Sequence, residues 1–269
     1  MIKLLALDMD GTLLHEDKSL SQENIDAIHQ AIDAGVQLVL CTGRPLVGVK
    51  PYFEKLGLTE KEYMIINNGC TTLETKDWSL VDWRELTTED IQYLYEVGQQ
   101  APAQLTLFDM DHYLVVDEEA TDLVTYDAGL VFTTPTRISL EQALSGKDII
   151  FQAMFLADKE PLDEFQEGFG VQLEERFSGV RSQPVIYECM PKGTTKASAL
   201  ARLADKLGIQ ASEIMAIGDA NNDIEMLEYA GLGIAMGNAA PHIKELAQDV
   251  TLTNDENGVA VAIQKHILN

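Results

Sequence analysis

The chain has 269 residues, 46% of them hydrophobic, which suits one large domain or two of ordinary size and excludes a disordered polypeptide. Acidic residues outnumber basic ones by 44 to 19, and the net charge of −25 opposes binding to DNA, RNA or anionic membrane surfaces. An anionic substrate therefore needs a local device that reverses the sign of the field at its site.

The chain opens with IKLLAL (residues 2–7), a nearly continuous apolar run that predicts a strand covered on both faces, and breaks into Asp8-Met9-Asp10-Gly11-Thr12. A helix is expected over 21–34, with Ser21 as N-cap, Ile25, Ile28, Ala31 and Ile32 as its apolar stripe and Gly35 as its stop. VQLVLCT (36–42) is the next strand and ends in TGRP, where Pro45 suits the first position of a helix carrying Val49, Phe53 and Leu56. YMIINNG (63–69) reads as a strand and a turn. This β-α-β-α-β order is the mark of a parallel sheet wound with helices.

Between 84 and 187 the pattern changes. AQLTLFD and HYLVVDE are strands separated by a tight polar turn holding Asp109 and Asp111, which are expected to be solvated turn charges. IIFQAMFLAD is a further strand and LDEFQEGF a short helix. From 195 to 207 a helix presents Leu200, Leu203, Ala204 and Leu207 on one face. The strand EIMAIGD, the helix NDIEMLEYAG, the strand LGIAM and the helices PHIKELA and VAVAIQKHIL follow. The expected fold class is α/β: a doubly wound, mainly parallel, Rossmann-like core from residues 1–83 and 188–269, with an α+β domain inserted at 84–187.

Cys41, Cys70 and Cys189 are far apart and form no C-x-x-C, as expected of reduced thiols in a cytoplasmic protein, and Cys41 reads as a small core residue. MIKLLALD has too few apolar residues for a signal peptide, and no run approaches the length of a membrane span.

In open parallel sheets ligands bind beyond the carboxyl ends of the strands. Four such ends carry unusual chemistry: Asp8-Met9-Asp10, Thr42-Gly43-Arg44, Asn67-Asn68-Gly69 and Asp219-Ala220-Asn221-Asn222-Asp223. Acidic ends on two strands point to magnesium, which takes one or two carboxylates, water and a substrate phosphate. A carboxylate can attack phosphorus, and a second carboxyl two residues on can protonate the leaving oxygen and later activate water. Thr42 and nearby backbone N–H groups suit phosphoryl oxygens. Lys196, at the start of a helix, is favoured over Lys192 as the balancing cation. Arg44 is open between a substrate contact and a surface ion pair, and Asn68 between a substrate contact and a turn residue.

DMDGTLL, CTGRP, the lysine of TTKASAL and GDANNDIEM, in this order, resemble the four motifs of the haloacid dehalogenase-like superfamily. The large insertion, together with GIAMGNAAPHIKELA and NGVAVAI, resembles its Cof-type branch with an α/β cap, and most of all the YidA-like sugar phosphatases. The resemblance implies Asp8 as nucleophile and Mg²⁺ ligand, Asp10 as acid/base with its carbonyl on the metal, and Asp219 as the other ligand. It further implies that the backbone of Met9 and Gly43, with Thr42, Lys196 and Asn222, holds the phosphoryl group while Asp223 supports the metal's water shell. An extra asparagine, Asn221, departs from the pattern, and the spacing makes Asn222 the motif residue.

The expected activity is magnesium-dependent hydrolysis of a small phosphorylated metabolite, a sugar phosphate foremost, with no nucleic-acid or membrane partner. A nucleotide or cofactor phosphatase, a sugar phosphomutase and a non-catalytic phosphate sensor are the alternatives. Asp10 and Asp219 argue against a dehalogenase, which needs the first aspartate but neither the second nor the metal.

Overall fold

The structure is a computed structural model that describes residues 1–58 and 61–269. The N-terminal part runs β1 (Leu4–Leu7), α1 (Gln22–Asp33), β2 (Gln37–Cys41), α2 (Leu46–Leu56), β3 (Tyr63–Ile66), β4 (Thr71–Glu74) and β5 (Ser79–Trp83). The middle runs α3 (Thr88–Gly98), β6 (Gln104–Phe108), β7 (Tyr113–Val116), α4 (Asp122–Leu130), β8 (Thr136–Ile138), α5 (Leu140–Ala143), β9 (Gln152–Leu156), α6 (Lys159–Arg176), β10 (Phe177–Gln183) and β11 (Ile186–Pro191). The last part runs α7 (Lys196–Leu207), β12 (Ile214–Gly218), α8 (Ile224–Tyr229), β13 (Leu232–Ala235), α9 (Pro241–Leu246), β14 (Asp249–Val250) and α10 (Gly258–His266). Two compact units emerge: residues 1–43, 52–82 and 195–269 in one, residues 44–51 and 83–194 in the other.

The first unit holds a sheet of order β14-β13-β12-β1-β2-β3-β4-β5, parallel from β14 to β3. β1 is wholly buried because LLAL has apolar residues for both faces, and Leu4 pairs with Gln37 on one side and Ile214 on the other. The chain winds away from β1 in both directions, to β2 and β3 on one side and β12 and β13 on the other. β1 is therefore the switch point, and the carboxyl ends of β1, β2, β3 and β12 share one edge. β4 turns back antiparallel to β3 and, with β5, extends the sheet, a hairpin that the periodicity of 71–83 did not predict.

Against this sheet α7 packs Ala199, Leu200, Leu203 and Ala204, while Leu207 is partly buried. Each such leucine contributes roughly 1.5–3 kcal/mol on burial. Thr195 caps the helix by accepting from the Ser198 N–H, and Ser198 returns the bond to the Thr195 N–H. Ser21 caps α1 as its sequence suggests.

The second unit is a sheet of order β10-β11-β9-β6-β7-β8, antiparallel except for the β7–β8 pair. Leu107, Phe155, Phe165, Leu173 and Tyr187 form the core on one face. Phe108, Tyr113, Met154 and Ile186 meet Val124 and Ala128 of α4 on the other. α6 runs 18 residues, far beyond the short helix expected at LDEFQEGF, because the stripe of Leu162, Phe165, Phe169 and Leu173 carries it through Gly168 and Gly170. The turn between β6 and β7 also differs from expectation. Asp109 is 8% exposed rather than solvated, and its Oδ1 accepts from the backbone N–H groups of Asp111 and His112, so its charge organises the hairpin. Among the described residues, no helix is long and apolar enough to cross a membrane.

Candidate active site

β1 ends at Leu7, so Asp8 is the first residue past a rigid central strand, still 4% exposed. Met9 is buried, and its carbonyl accepts from the N–H groups of Thr12 (3.3 Å) and Leu14 (2.9 Å), closing the loop that carries both aspartates. Gly11 sits at φ +80°, where a Cβ would overlap the Asp219 carboxylate, so only glycine lets the β1 loop approach the β12 loop this closely.

Lys196, in the first turn of α7, is fully buried between two carboxylates. Its Nζ lies 2.6 Å from Asp8 Oδ1 and 2.7 Å from Asp223 Oδ1. Both carboxylates hold the ammonium well above the ordinary lysine range despite the opposing effect of burial. Asp223 is otherwise committed: its Oδ2 accepts from the backbone N–H groups of Asp219 and Ala220, each at 3.0 Å. It thereby shapes the β12 loop from inside. Asp219 is held by the Thr12 hydroxyl, which donates to Oδ1 at 2.9 Å, and by Asn238, whose amide donates to the Gly11 carbonyl at 2.8 Å and lies 3.5 Å from Asp219 Oδ2.

Oxygens of Asp8, Asp219 and Asp223 all lie within 4.8 Å of one another. Three carboxylates face the single ammonium of Lys196, leaving a surplus of two negative charges when all are ionised, the charge of one divalent cation. Burial, then the nearby Asp223, pushes Asp8 well above the usual carboxylate range. The same two causes push Asp219 up to about 7. Asp8 Oδ2 is buried and accepts no hydrogen bond from the described residues. A buried orphan oxygen is costly, so this donor set fits a hard divalent cation. Both oxygens of Asp223 and both of Asp219 have donors, so Asp8 Oδ2 is the one carboxylate oxygen of the three residues that receives none from the described residues.

Asp10, in the same loop, is partly exposed, with Oδ1 2.8 Å from Lys18 Nζ. Thr42 is buried after β2; its N–H donates to the Ile65 carbonyl and its carbonyl accepts from the Asn68 N–H. Gly43 follows against the Asn68 side chain, and Asn222 donates from Nδ2 to Asn68 Oδ1 at 2.9 Å. Arg44 belongs to the second unit, where its guanidinium donates to the carbonyls of Leu130 (3.1 Å) and Gly48 (3.4 Å). Cys41 is buried, and desolvation drives its thiol far above its ordinary range, so it is an inert core residue. Thr12, Lys18 and Asn238 escaped sequence reasoning: each meets the site through contacts that no local motif announces.

The chain matches the model of the family described as haloacid dehalogenase-like hydrolase over residues 5–263. It is 34% identical to a 5-amino-6-(5-phospho-D-ribitylamino)uracil phosphatase of Bacillus subtilis, over 99% of this chain and 96% of that protein. It is 31% identical to an HMP-PP phosphatase of Yersinia pseudotuberculosis, over 97% and 93% of the two. A solved haloacid dehalogenase-like hydrolase from Bacteroides thetaiotaomicron is similar with a TM-score of 0.87 at 28% identity, covering 98% of this chain and 99% of that one.

Proposed function

The chain belongs to the haloacid dehalogenase-like hydrolase family, and we propose that it is a magnesium-dependent phosphatase of small phosphorylated metabolites, working through an aspartyl-phosphate on Asp8. The observation that carries this reading is the Asp8 carboxylate: one oxygen is anchored on buried Lys196, and the other, beside Asp219, receives no hydrogen bond from the described residues.

The Asp8 carboxylate attacks phosphorus, the bond to the leaving oxygen breaks, and Asp10 delivers its proton to that oxygen. Asp10 then takes a proton from water as the water attacks the same phosphorus, the bond to Asp8 breaks, and inorganic phosphate departs. Lys196 fixes the attacking carboxylate and offsets charge on the transferring group, while Thr42, Asn222 and the N–H groups of Met9 and Gly43 hold its oxygens. Magnesium held by Asp8, Asp219 and the Asp10 carbonyl would keep the carboxylates ionised and neutralise the incoming phosphate.

The relative named for a phosphoribitylamino substrate supports a phosphorylated polyol or sugar as the substrate class. Selection among such substrates is assigned to the inserted unit, residues 84–187.

A panel of sugar, polyol, nucleotide and cofactor phosphates tests the reading. Phosphate release that needs magnesium and disappears with chelator and in Asp8→Asn is expected. No release from any ester, or isomerised sugar phosphate without free phosphate, contradicts it.

A further inference from the structure

The turn Asn67–Gly69 follows β3 at the sheet edge that carries Asp8 and Thr42, and separate parts of the site rest on it. Asn68 is 1% exposed and left-handed, at φ 52° and ψ 34°. Its backbone N–H donates to the Thr42 carbonyl at 3.0 Å. Its side chain lies so near Gly43 that a Cβ there would come within 3.1 Å of Nδ2 and 3.3 Å of Oδ1. Its Oδ1 accepts from Asn222 Nδ2, across 154 residues of sequence. The next residue, Gly69 at φ +94°, abuts the Thr195 carbonyl at the start of the helix that bears Lys196.

Asn222 stands half-buried on the short turn Asn221–Asp223, and Asn68 is the hydrogen-bond partner of its side chain among the described residues. An amide left to rotate there would have to be ordered each time a phosphate bound; one held beforehand would not. Asparagine suits position 68 for two reasons. It tolerates the left-handed backbone, as glycine does, and it supplies an amide acceptor without adding negative charge next to a phosphoryl group.

We infer that Asn68 is a positioning residue of the phosphatase: it holds the Asn222 amide and the Gly43 backbone where they grip the phosphoryl oxygens. This rests on the function proposed above.

The test is a coupling measurement with p-nitrophenyl phosphate as substrate and orthophosphate as competitive inhibitor. Asn68→Gly keeps the left-handed backbone and removes the amide. It should raise KM and the orthophosphate inhibition constant about tenfold, the worth of one well-made polar contact. Asn222→Ala should cost about tenfold in the wild-type background and again in Asn68→Asp, which keeps an acceptor facing Asn222. In Asn68→Gly it should cost less than about twofold, because the contact is already lost. Thermal unfolding reports whether each variant folds, and Asn68→Ala carries the same expectation should Asn68→Gly be unstable. An equal cost of Asn222→Ala in all three backgrounds, or unchanged phosphate affinity in Asn68→Gly, overturns the inference. Asp8→Asn is measured alongside. Its inactivity together with absent coupling removes only the role of Asn68, whereas an active Asp8→Asn removes the proposed mechanism itself.

Discussion

Replacing Lys196 by methionine should destabilise the unit that contains it, and the loss should grow with pH. Lys196 Nζ lies 2.6 Å from Asp8 and 2.7 Å from Asp223, with the lysine side chain 0% exposed and the two carboxylates 6% and 0%. Methionine preserves most of the volume but leaves both carboxylates without their cation, and breaking a buried pair from one side costs about 3–5 kcal/mol. The pH dependence follows from Asp8, whose carboxyl is already raised by burial and is pulled down by Lys196. Without the lysine it rises further. A carboxyl whose folded pKa exceeds its unfolded one costs the fold nothing below the ordinary carboxylate range, where both states are protonated. The cost accumulates as pH climbs toward the folded value. Hydrogen exchange of β1 and β12 amides, measured with chelator present at pH 5 and pH 8, reads this unit separately from the inserted one. A loss below about 1 kcal/mol at pH 8, or losses of equal size at the two pH values, would refute the reasoning.

Three further outcomes are expected. Because Asp219 is pushed up to about 7 by burial and Asp223, magnesium binding should release more protons at pH 6 than at pH 8 and weaken toward acid; calorimetry in buffers of different ionisation enthalpy measures this, and equal proton release would count against it. Gly69→Ala puts a Cβ onto the Thr195 carbonyl at a left-handed position, so the melting midpoint should fall by about 4–8 °C, for a cost of about 2 kcal/mol; an unchanged midpoint would show that the turn relaxes. Asp10→Asn should lower kcat by about 10²–10⁴ while stability changes by less than about 0.5 kcal/mol, since the side chain is half-exposed; steady-state kinetics and urea unfolding check both halves.

The parallel core was legible because its signals are local. IKLLAL and EIMAIGD are runs that only a doubly covered strand needs, and Ser21 stands where a cap belongs. Inside the insertion the signals compete. Thr87-x-x-Asp90 is a capping box in plain view and starts α3, yet α6 hides its length behind two glycines, and β10 alternates too weakly between its faces to stand out. The site divides in the same way. Asp8, Asp219, Asp223 and Lys196 meet in one cluster because each lies at a strand end or a helix start that periodicity locates. Their support does not show in sequence. Thr12 reaches Asp219 across 207 residues, Asn222 reaches Asn68 across 154, and Lys18 meets Asp10 through a left-handed turn that no motif marks. Arg44 follows Thr42 and Gly43 directly, yet its guanidinium is taken up by backbone carbonyls of the second unit, a fate set by tertiary packing.

Chemical trapping tests the central claim most directly. Enzyme quenched during turnover and treated with borohydride converts an aspartyl-phosphate to homoserine, which peptide mass spectrometry locates. The account predicts that conversion at Asp8, dependent on substrate and absent from Asp8→Asn. Conversion at another carboxylate, or none at any residue under conditions where phosphate is being released, would contradict it.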